Sequence, residues 1–351
     1  MIHKKNWRYN PSMTPAPAKN AVPLLDLGRF NGDATEREGF LAQLRTAARD
    51  VGFFYLAGHG VAPELLRELM AVSRRFFALP TAQKLAIEMV NSPHFRGYNR
   101  VASELTRGDP DWREQIDIGA EREALPRGPR RPAWMRLQGP NQWPTALPEL
   151  RPVVLRWQGA AIGVLEQLLR AFSLALGQAA DALEPLYGAE PHYLVKLIRY
   201  PGRDSTQGDQ GVGAHKDSEL LTLLLQDTQE GLQVETGGGW IDVMPRPGTF
   251  VVNIGELLEL ASDGYLRATL HRVVAPPAGT DRLSVAFFLG ARLDATVPLL
   301  QLPAELAAQA RGPESDPNNP LFRNVGRNYL KGRLRSHPDV ARRHHADLIE
   351  K

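Results

Sequence analysis

Residues 211–227 read GVGAHKDSELLTLLLQD. The second half is a Leu-rich run suited to a buried strand. The first half sets His215, Lys216 and Asp217 directly against it. In an extended strand residues i and i+2 share a face, so His215 and Asp217 project together and Lys216 points away. A lone His-x-Asp pair is a weak signal, because a chain with nine histidines produces one by accident. A surface histidine beside a surface carboxylate explains it equally well. What lies around the pair has to decide.

Downstream of His192 the chain breaks into short β-rich runs: YLVKLIRYPG, ELLTLLLQD, GLQVET, GWIDVMP, GTFVVNIG, ATLHRVVAPP and RLSVAFFLG. Gly, Pro and Asp punctuate them at the spacing of a sandwich or barrel. ETGGGWID reads as a hairpin turn. Upstream, residues 21–30 read as a strand and 35–49 as a helix. VGFFYLAGHGV reads as a strand ended by Gly58 and Gly60, and PELLRELMAVSRRFFAL as an amphipathic helix with Pro63 in its first turn. Residues 149–177 carry the longest helical pattern, with Gly177 as terminator. The fold class expected is α+β with a mainly β core, a double-stranded β-helix (jelly roll) flanked by helices. The expected divisions are a mobile tail (1–20), an N-terminal α/β region with an irregular cover segment (21–150), a long supporting helix (151–190), the jelly-roll core (191–295) and a C-terminal helical extension (296–351).

Two further elements join the His-x-Asp pair. His271 lies on the β-branched run LHRVV, where alone it reads more readily as a hydrogen-bonded core histidine. Arg282 and Ser284, again at i and i+2, share one face of RLSVAFFLG. PPAGTD between them is short enough for a hairpin, which would put the Arg/Ser pair one strand away from His271. Two neutral imidazoles and a carboxylate form the facial triad that suits non-haem Fe(II) and leaves positions open. Charge supports a specific occupant. Fe(II), Asp217, a dicarboxylate co-substrate and Arg282 sum to zero, whereas a buried Arg282 without such a partner is costly. Its planar fork favours a carboxylate, and Ser284 can donate one more hydrogen bond.

HKD (215–217), HRV at His271 and RLS (282–284), with LTLLLQD, GLQV, GWIDV and VVNIGE between them, resemble the 2-oxoglutarate and Fe(II)-dependent oxygenases. More narrowly they resemble the isopenicillin N synthase-like branch. VPLLDL and GFFYLAGHGV are similar to that branch's N-terminal domain. FRGYNR, DWREQIDIG and GPNQWP suggest a bacterial type. The resemblance spans about Val22 to Leu289. It implies His215, Asp217 and His271 as iron ligands and catalytic centre, and Arg282 and Ser284 as binders of the co-substrate's distal carboxylate. Tyr200 in LIRYP matches a tyrosine that faces the co-substrate, while Ile198 stands where many plant members carry Asn. The implied reaction hydroxylates, desaturates or cyclises a small molecule with O2, giving succinate and CO2. One other reading keeps the same residues, an Fe(II) oxidase of isopenicillin N synthase type that uses no 2-oxoglutarate and holds its substrate's own carboxylate at the Arg/Ser pair. A third, a non-catalytic jelly-roll binding module with structural histidines, would have no need of all three ligands plus Arg282.

The remaining features narrow the field. There is no cysteine, which excludes disulfides, thiolate metal sites and cysteine nucleophiles. With 42 Lys+Arg against 39 Asp+Glu, the charge gives no reason to expect nucleic-acid or membrane partners. No apolar run is long enough to span a bilayer, and the first twenty residues lack the apolar stretch of a signal peptide, so a cytoplasmic location is expected. Oligomeric state is left open. GDQGVGAH lacks the Lys-Ser/Thr of a phosphate loop. His59 reads as a turn residue, and His344 and His345 as solvated on a basic helix. Arg96, Tyr98, Trp112 and Gln115 in the cover segment either line a substrate pocket or simply pack.

Overall fold

A computed structural model describes residues 21–128, 130–188, 190–204, 208–314 and 319–349. The expected tail, 1–20, lies outside the described residues. The strands are β1 (Leu24–Asp26), β2 (Phe53–Ala57), β3 (Gly97–Asn99), β4 (Leu105–Thr106), β5 (Asp109–Pro110), β6 (Glu114–Gly119), β7 (Tyr193–Tyr200), β8 (Gln210–His215), β9 (Leu221–Gln226), β10 (Leu232–Thr236), β11 (Gly239–Asp242), β12 (Phe250–Ile254), β13 (His271–Val274) and β14 (Arg282–Leu289). The helices are α1 (Ala34–Asp50), α2 (Pro63–Phe77), α3 (Thr81–Leu85), α4 (Leu150–Ala175), α5 (Glu184–Tyr187), α6 (Glu256–Ala261), α7 (Ala304–Ala307), α8 (Val325–Ser336), α9 (Pro338–His344) and α10 (Ala346–Ile349).

Two sheets face each other. The larger has the order β1-β2-β12-β9-β14-β7-β6-β3, and the smaller β11-β10-β13-β8. β1 pairs with β2 in parallel; the other pairings are antiparallel. The alternation of side chains explains the layering. On β9, Leu221, Leu223 and Leu225 join the core beneath α1, α2 and α4, while Leu224 faces the smaller sheet. On β14, Leu283, Val285, Phe287 and Leu289 take the helical side, and Ala286 takes the inner side. Phe53, Tyr55, Val212, Val234 and Val251 complete the inner layer. The result is helices over a large sheet over a small sheet, the expected jelly-roll core flanked by helices. The expected β10–β11 hairpin forms, with Thr236 opposite Gly239.

Two expectations are corrected. His271 and Arg282 do not sit on a hairpin. β13 lies in the small sheet against β8 and β10, and β14 lies in the large sheet between β7 and β9. The connection turns a sheet corner, so the two residues face each other across the sandwich rather than along one ladder. The segment 91–150 is also more than a cover. β6 pairs with β7 over six residues and β3 pairs with β6, which extends the large sheet at one edge.

Candidate metal and co-substrate site

β8 ends at His215, opposite His271 at the start of β13, which brings the two rings to 4.2 Å between centroids. Asp217 follows in the loop between β8 and β9. One ligand atom from each of the three residues lies within 4.8 Å of the others, a group that could hold a metal ion. Asp217 Oδ1 is 3.5 Å from His215 Nε2 and 3.6 Å from His271 Nε2. Each imidazole is oriented from behind. His215 Nδ1 is 2.8 Å from the Gly213 carbonyl, and His271 Nδ1 is 3.1 Å from the Thr269 carbonyl. Donation from Nδ1–H leaves the Nε2 lone pair turned towards Asp217. Phe53 packs edge-on to His271 at 5.2 Å.

The second oxygen of Asp217 is tied to the large sheet. Oδ2 accepts from Thr222 Oγ1 at 2.5 Å and from Asn253 Nδ2 at 2.9 Å. Burial opposes charge on Asp217, but His271, His215 and the Thr222 hydroxyl together hold its carboxyl far below the usual carboxylate range. Burial also opposes charge on His215, yet the hydrogen bond and charge of Asp217 raise it above the ordinary imidazole value. Burial, then the charge of His215, pushes His271 down to about 4, so it is neutral and able to coordinate at neutral pH.

Arg282 is 0 % exposed. Its Nη2 donates to Gln226 Oε1 at 2.8 Å, its Nη1 lies 3.5 Å from Ser284 Oγ, and its Nε has no hydrogen-bond partner. No carboxylate of the described residues lies within ion-pair distance of it. Tyr200, opposite Arg282 in the β7–β14 register, has its ring 5.0 Å from the guanidinium. A cavity of about 60 Å³ is bordered by the three metal-site residues on one side and by Arg282, Ser284 and Tyr200 on the other. A buried guanidinium with an orphaned donor, aimed into a cavity that ends at a His-Asp-His cluster, fits a chelating dicarboxylate.

A second cavity, about 430 Å³, opens from His215 and Asp217 to the surface. Glu104, Lys196, Glu219, Tyr329 and Arg333 are among its walls, so α8 and the β4–β5 ribbon build it. Burial, then the charge of Asp217, pushes Glu219 up to about 7. Lys216 turns from the metal site to Glu314, at 2.6 Å.

Thus His215, Asp217, His271, Arg282, Ser284 and Tyr200 all border one cavity. Sequence reasoning missed Thr222, Gln226 and Asn253, whose signal was the alternation of β9 and β12. Arg96, Tyr98, Trp112 and Gln115 do not line the larger cavity. They pack: Arg96 donates to the His94 and Leu137 carbonyls, Tyr98 to Glu114, Gln115 to Asp117 and Trp112 to the Pro201 carbonyl. The expectation that His344 and His345 are solvated is corrected. His345 is buried, stacked on Phe95 and held to the Pro93 carbonyl, and His344 reaches the Val90 carbonyl.

Residues 191–291 match the family model described as the 2OG-Fe(II) oxygenase superfamily. Residues 22–146 match the N-terminal model described as non-haem dioxygenase in morphine synthesis. The chain is 36% identical over 338 residues to a 2-oxoglutarate-dependent dioxygenase, frbJ, of Dothideomycetidae sp. (strain 11243), covering 92% of this chain and 91% of that one. It is 35% identical to a homoarginine-6-hydroxylase of Arabidopsis thaliana, covering 83% and 91%. Among solved structures, a full-length Neurospora crassa protein in complex with alpha-KG and 5-formyluracil superposes with a TM-score of 0.72 at 25% identity, over 90% of this chain and 96% of that one. The chain belongs to the 2OG-Fe(II) oxygenase superfamily. It is a non-haem Fe(II)- and 2-oxoglutarate-dependent dioxygenase that oxidises a small molecule with O2. The curated relatives named here are fungal and plant, so the bacterial type suggested by the cover segment gains no support from them. No described helix is long and apolar enough to cross a membrane.

Proposed function

We propose that His215, Asp217 and His271 hold Fe(II), that Arg282 and Ser284 anchor the distal carboxylate of 2-oxoglutarate, and that Tyr200 packs beside it. The observation that carries this reading is the shared cavity. At one end are imidazoles whose Nδ1 atoms are already committed; at the other is a fully buried guanidinium with no carboxylate partner. Each end is costly alone, and together with Fe(II) and a dicarboxylate their charges cancel. The bound metal with 2-oxoglutarate and O2 supplies the oxidising power, and 2-oxoglutarate leaves as succinate and CO2. The chain's own residues do the rest. Thr222 and Asn253 hold Asp217 Oδ2 so that Oδ1 faces the metal position. Gln226 fixes the Arg282 fork. Phe53, Leu224 and Val273, which line the same cavity, keep water from it. The larger cavity receives the small-molecule substrate.

Within the superfamily we place the chain in the isopenicillin N synthase-like branch, on the strength of its N-terminal VPLLDL and GFFYLAGHGV. A cytoplasmic location is part of this reading, and the cysteine-free composition is compatible with it. The test is spectroscopic. Adding 2-oxoglutarate to the Fe(II)-loaded protein without O2 should produce the weak visible charge-transfer band of the chelate, and admitting O2 should produce succinate. A missing band together with missing succinate, with candidate substrates present, would count against 2-oxoglutarate in favour of an oxidase that binds its substrate's own carboxylate at Arg282.

A further inference from the structure

Charge around the substrate cavity is unevenly satisfied. On one side Glu104, Asp111 and Asp117 meet Arg113, Lys196 and Arg333. Arg113 lies 2.8 Å from Glu104 and 3.2 Å from Asp111, Lys196 lies 2.8 Å from Glu104, and Arg333 lies 2.8 Å from Asp117. Three carboxylates face three cations, and that network is closed. Lys216 is engaged by Glu314 and Glu259. Glu256 accepts from Ser218 Oγ at 3.0 Å.

Glu219 is different. It lines the cavity two residues after Asp217, and no Lys, Arg or His nitrogen of the described residues lies within 4.0 Å of its carboxylate. Its backbone is fixed. The Glu219 carbonyl accepts from Leu257 N at 3.2 Å, and Gly255 N donates to the Leu220 carbonyl at 3.0 Å. The two loops come so close that a Cβ on Gly255 would stand 2.0 Å from the Glu219 carbonyl oxygen. Lys196 and Arg333 act on it only from beyond ion-pair distance and are themselves paired to Glu104 and Asp117. This partly buried carboxylate beside Asp217, with no cation in contact, is therefore stabilised by a positively charged guest. Leu270 and Phe288 on the same walls offer apolar contact for a methylene chain.

We infer that Glu219 receives a cationic nitrogen of the substrate, an ammonium or guanidinium group, and so holds the adjacent carbons in the part of the cavity bordered by His215 and Asp217. The inference rests on the proposed metal site only for what happens to the bound molecule; recognition of the cation is separate from it. Isothermal titration of the anaerobic protein loaded with Fe(II) and 2-oxoglutarate, with L-arginine and L-citrulline as probes, tests it. The two share a shape and differ in guanidinium against neutral urea. L-arginine should bind at least about tenfold more tightly, Glu219→Gln should abolish that preference, and Glu219→Asp should keep most of it. The melting temperature and the chelate band should be unchanged in both variants. Equal binding of the two probes, no binding of L-arginine, or an undiminished preference in Glu219→Gln would overturn the inference. A missing chelate band with the preference intact would instead sink the metal-site reading and leave this one standing.

Discussion

Asp217 divides its two oxygens between two tasks. Oδ1 sits against both histidines, and Oδ2 is held by Thr222 and Asn253. Neither of these holders would touch a metal, yet both fix the carboxylate's orientation. Thr222→Val or Asn253→Leu should therefore weaken Fe(II) binding by about 10–100-fold, measured by anaerobic titration; unchanged affinity would show that the orientation is set elsewhere. Arg282→Gln should leave Fe(II) binding intact and raise the 2-oxoglutarate concentration for half-maximal succinate formation by roughly 10–100-fold, the worth of a charge-assisted hydrogen bond. His215 with Asp217 and Arg282 with Ser284 were legible in the sequence because polar groups at i, i+2 against apolar strands are conspicuous, whereas His271, alone on its strand, was legible only beside those two pairs. Thr222, Gln226 and Asn253 were not. They are ordinary strand residues, and their roles exist only once β9, β12 and β14 lie side by side.

At the scale of the element, β9 shows why the Leu run follows the His-x-Asp pair. Its odd positions, Leu221, Leu223 and Leu225, seat the large sheet on the helices. Its even positions, Thr222 and Gln226, reach Asp217 and Arg282. One strand thus sets the separation between the two ends of the smaller cavity. Leu223→Ala should cost about 2–5 kcal/mol of stability, read by denaturant unfolding. Gln226→Leu should cost little stability and act on 2-oxoglutarate affinity instead. If the two variants had the same profile, the division of faces would be wrong. Alternation was readable in the sequence; sheet membership was not. The short PPAGTD connection suits a hairpin as well as a corner, and only packing across the sandwich sends β13 and β14 to opposite sheets.

At the scale of the whole molecule, the large sheet draws β1, β2, β3 and β6 from the first 120 residues and β7, β9, β12 and β14 from the core region. Strands that share one sheet are expected to unfold together, so calorimetry should show one cooperative transition rather than two. The C-terminal helices add a pH dependence. Burial pushes His345 down to about 4, below its ordinary value, so the fold favours the neutral ring. Its stabilising contribution is complete above about pH 6.5 and is lost as pH falls towards 4, roughly 1–3 kcal/mol in all. His192 and His337, lowered for the same reason, act with the same sign. His345→Phe should therefore lose less stability than the parent between pH 6.5 and 4; equal losses would contradict the assignment. These helices were hardest to read beforehand, because a basic helix looks solvated until the surface beneath it is known.

His215, Asp217 and His271 come together from two strands and a loop, and the proposed role as one metal site stands or falls with His271. Anaerobic Fe(II) titration of the parent and of His271→Ala, with circular dichroism to verify the fold, tests it most directly. One equivalent of Fe(II) per chain in the parent and loss of tight binding in a still-folded His271→Ala is the result predicted. Full Fe(II) affinity in His271→Ala would contradict it.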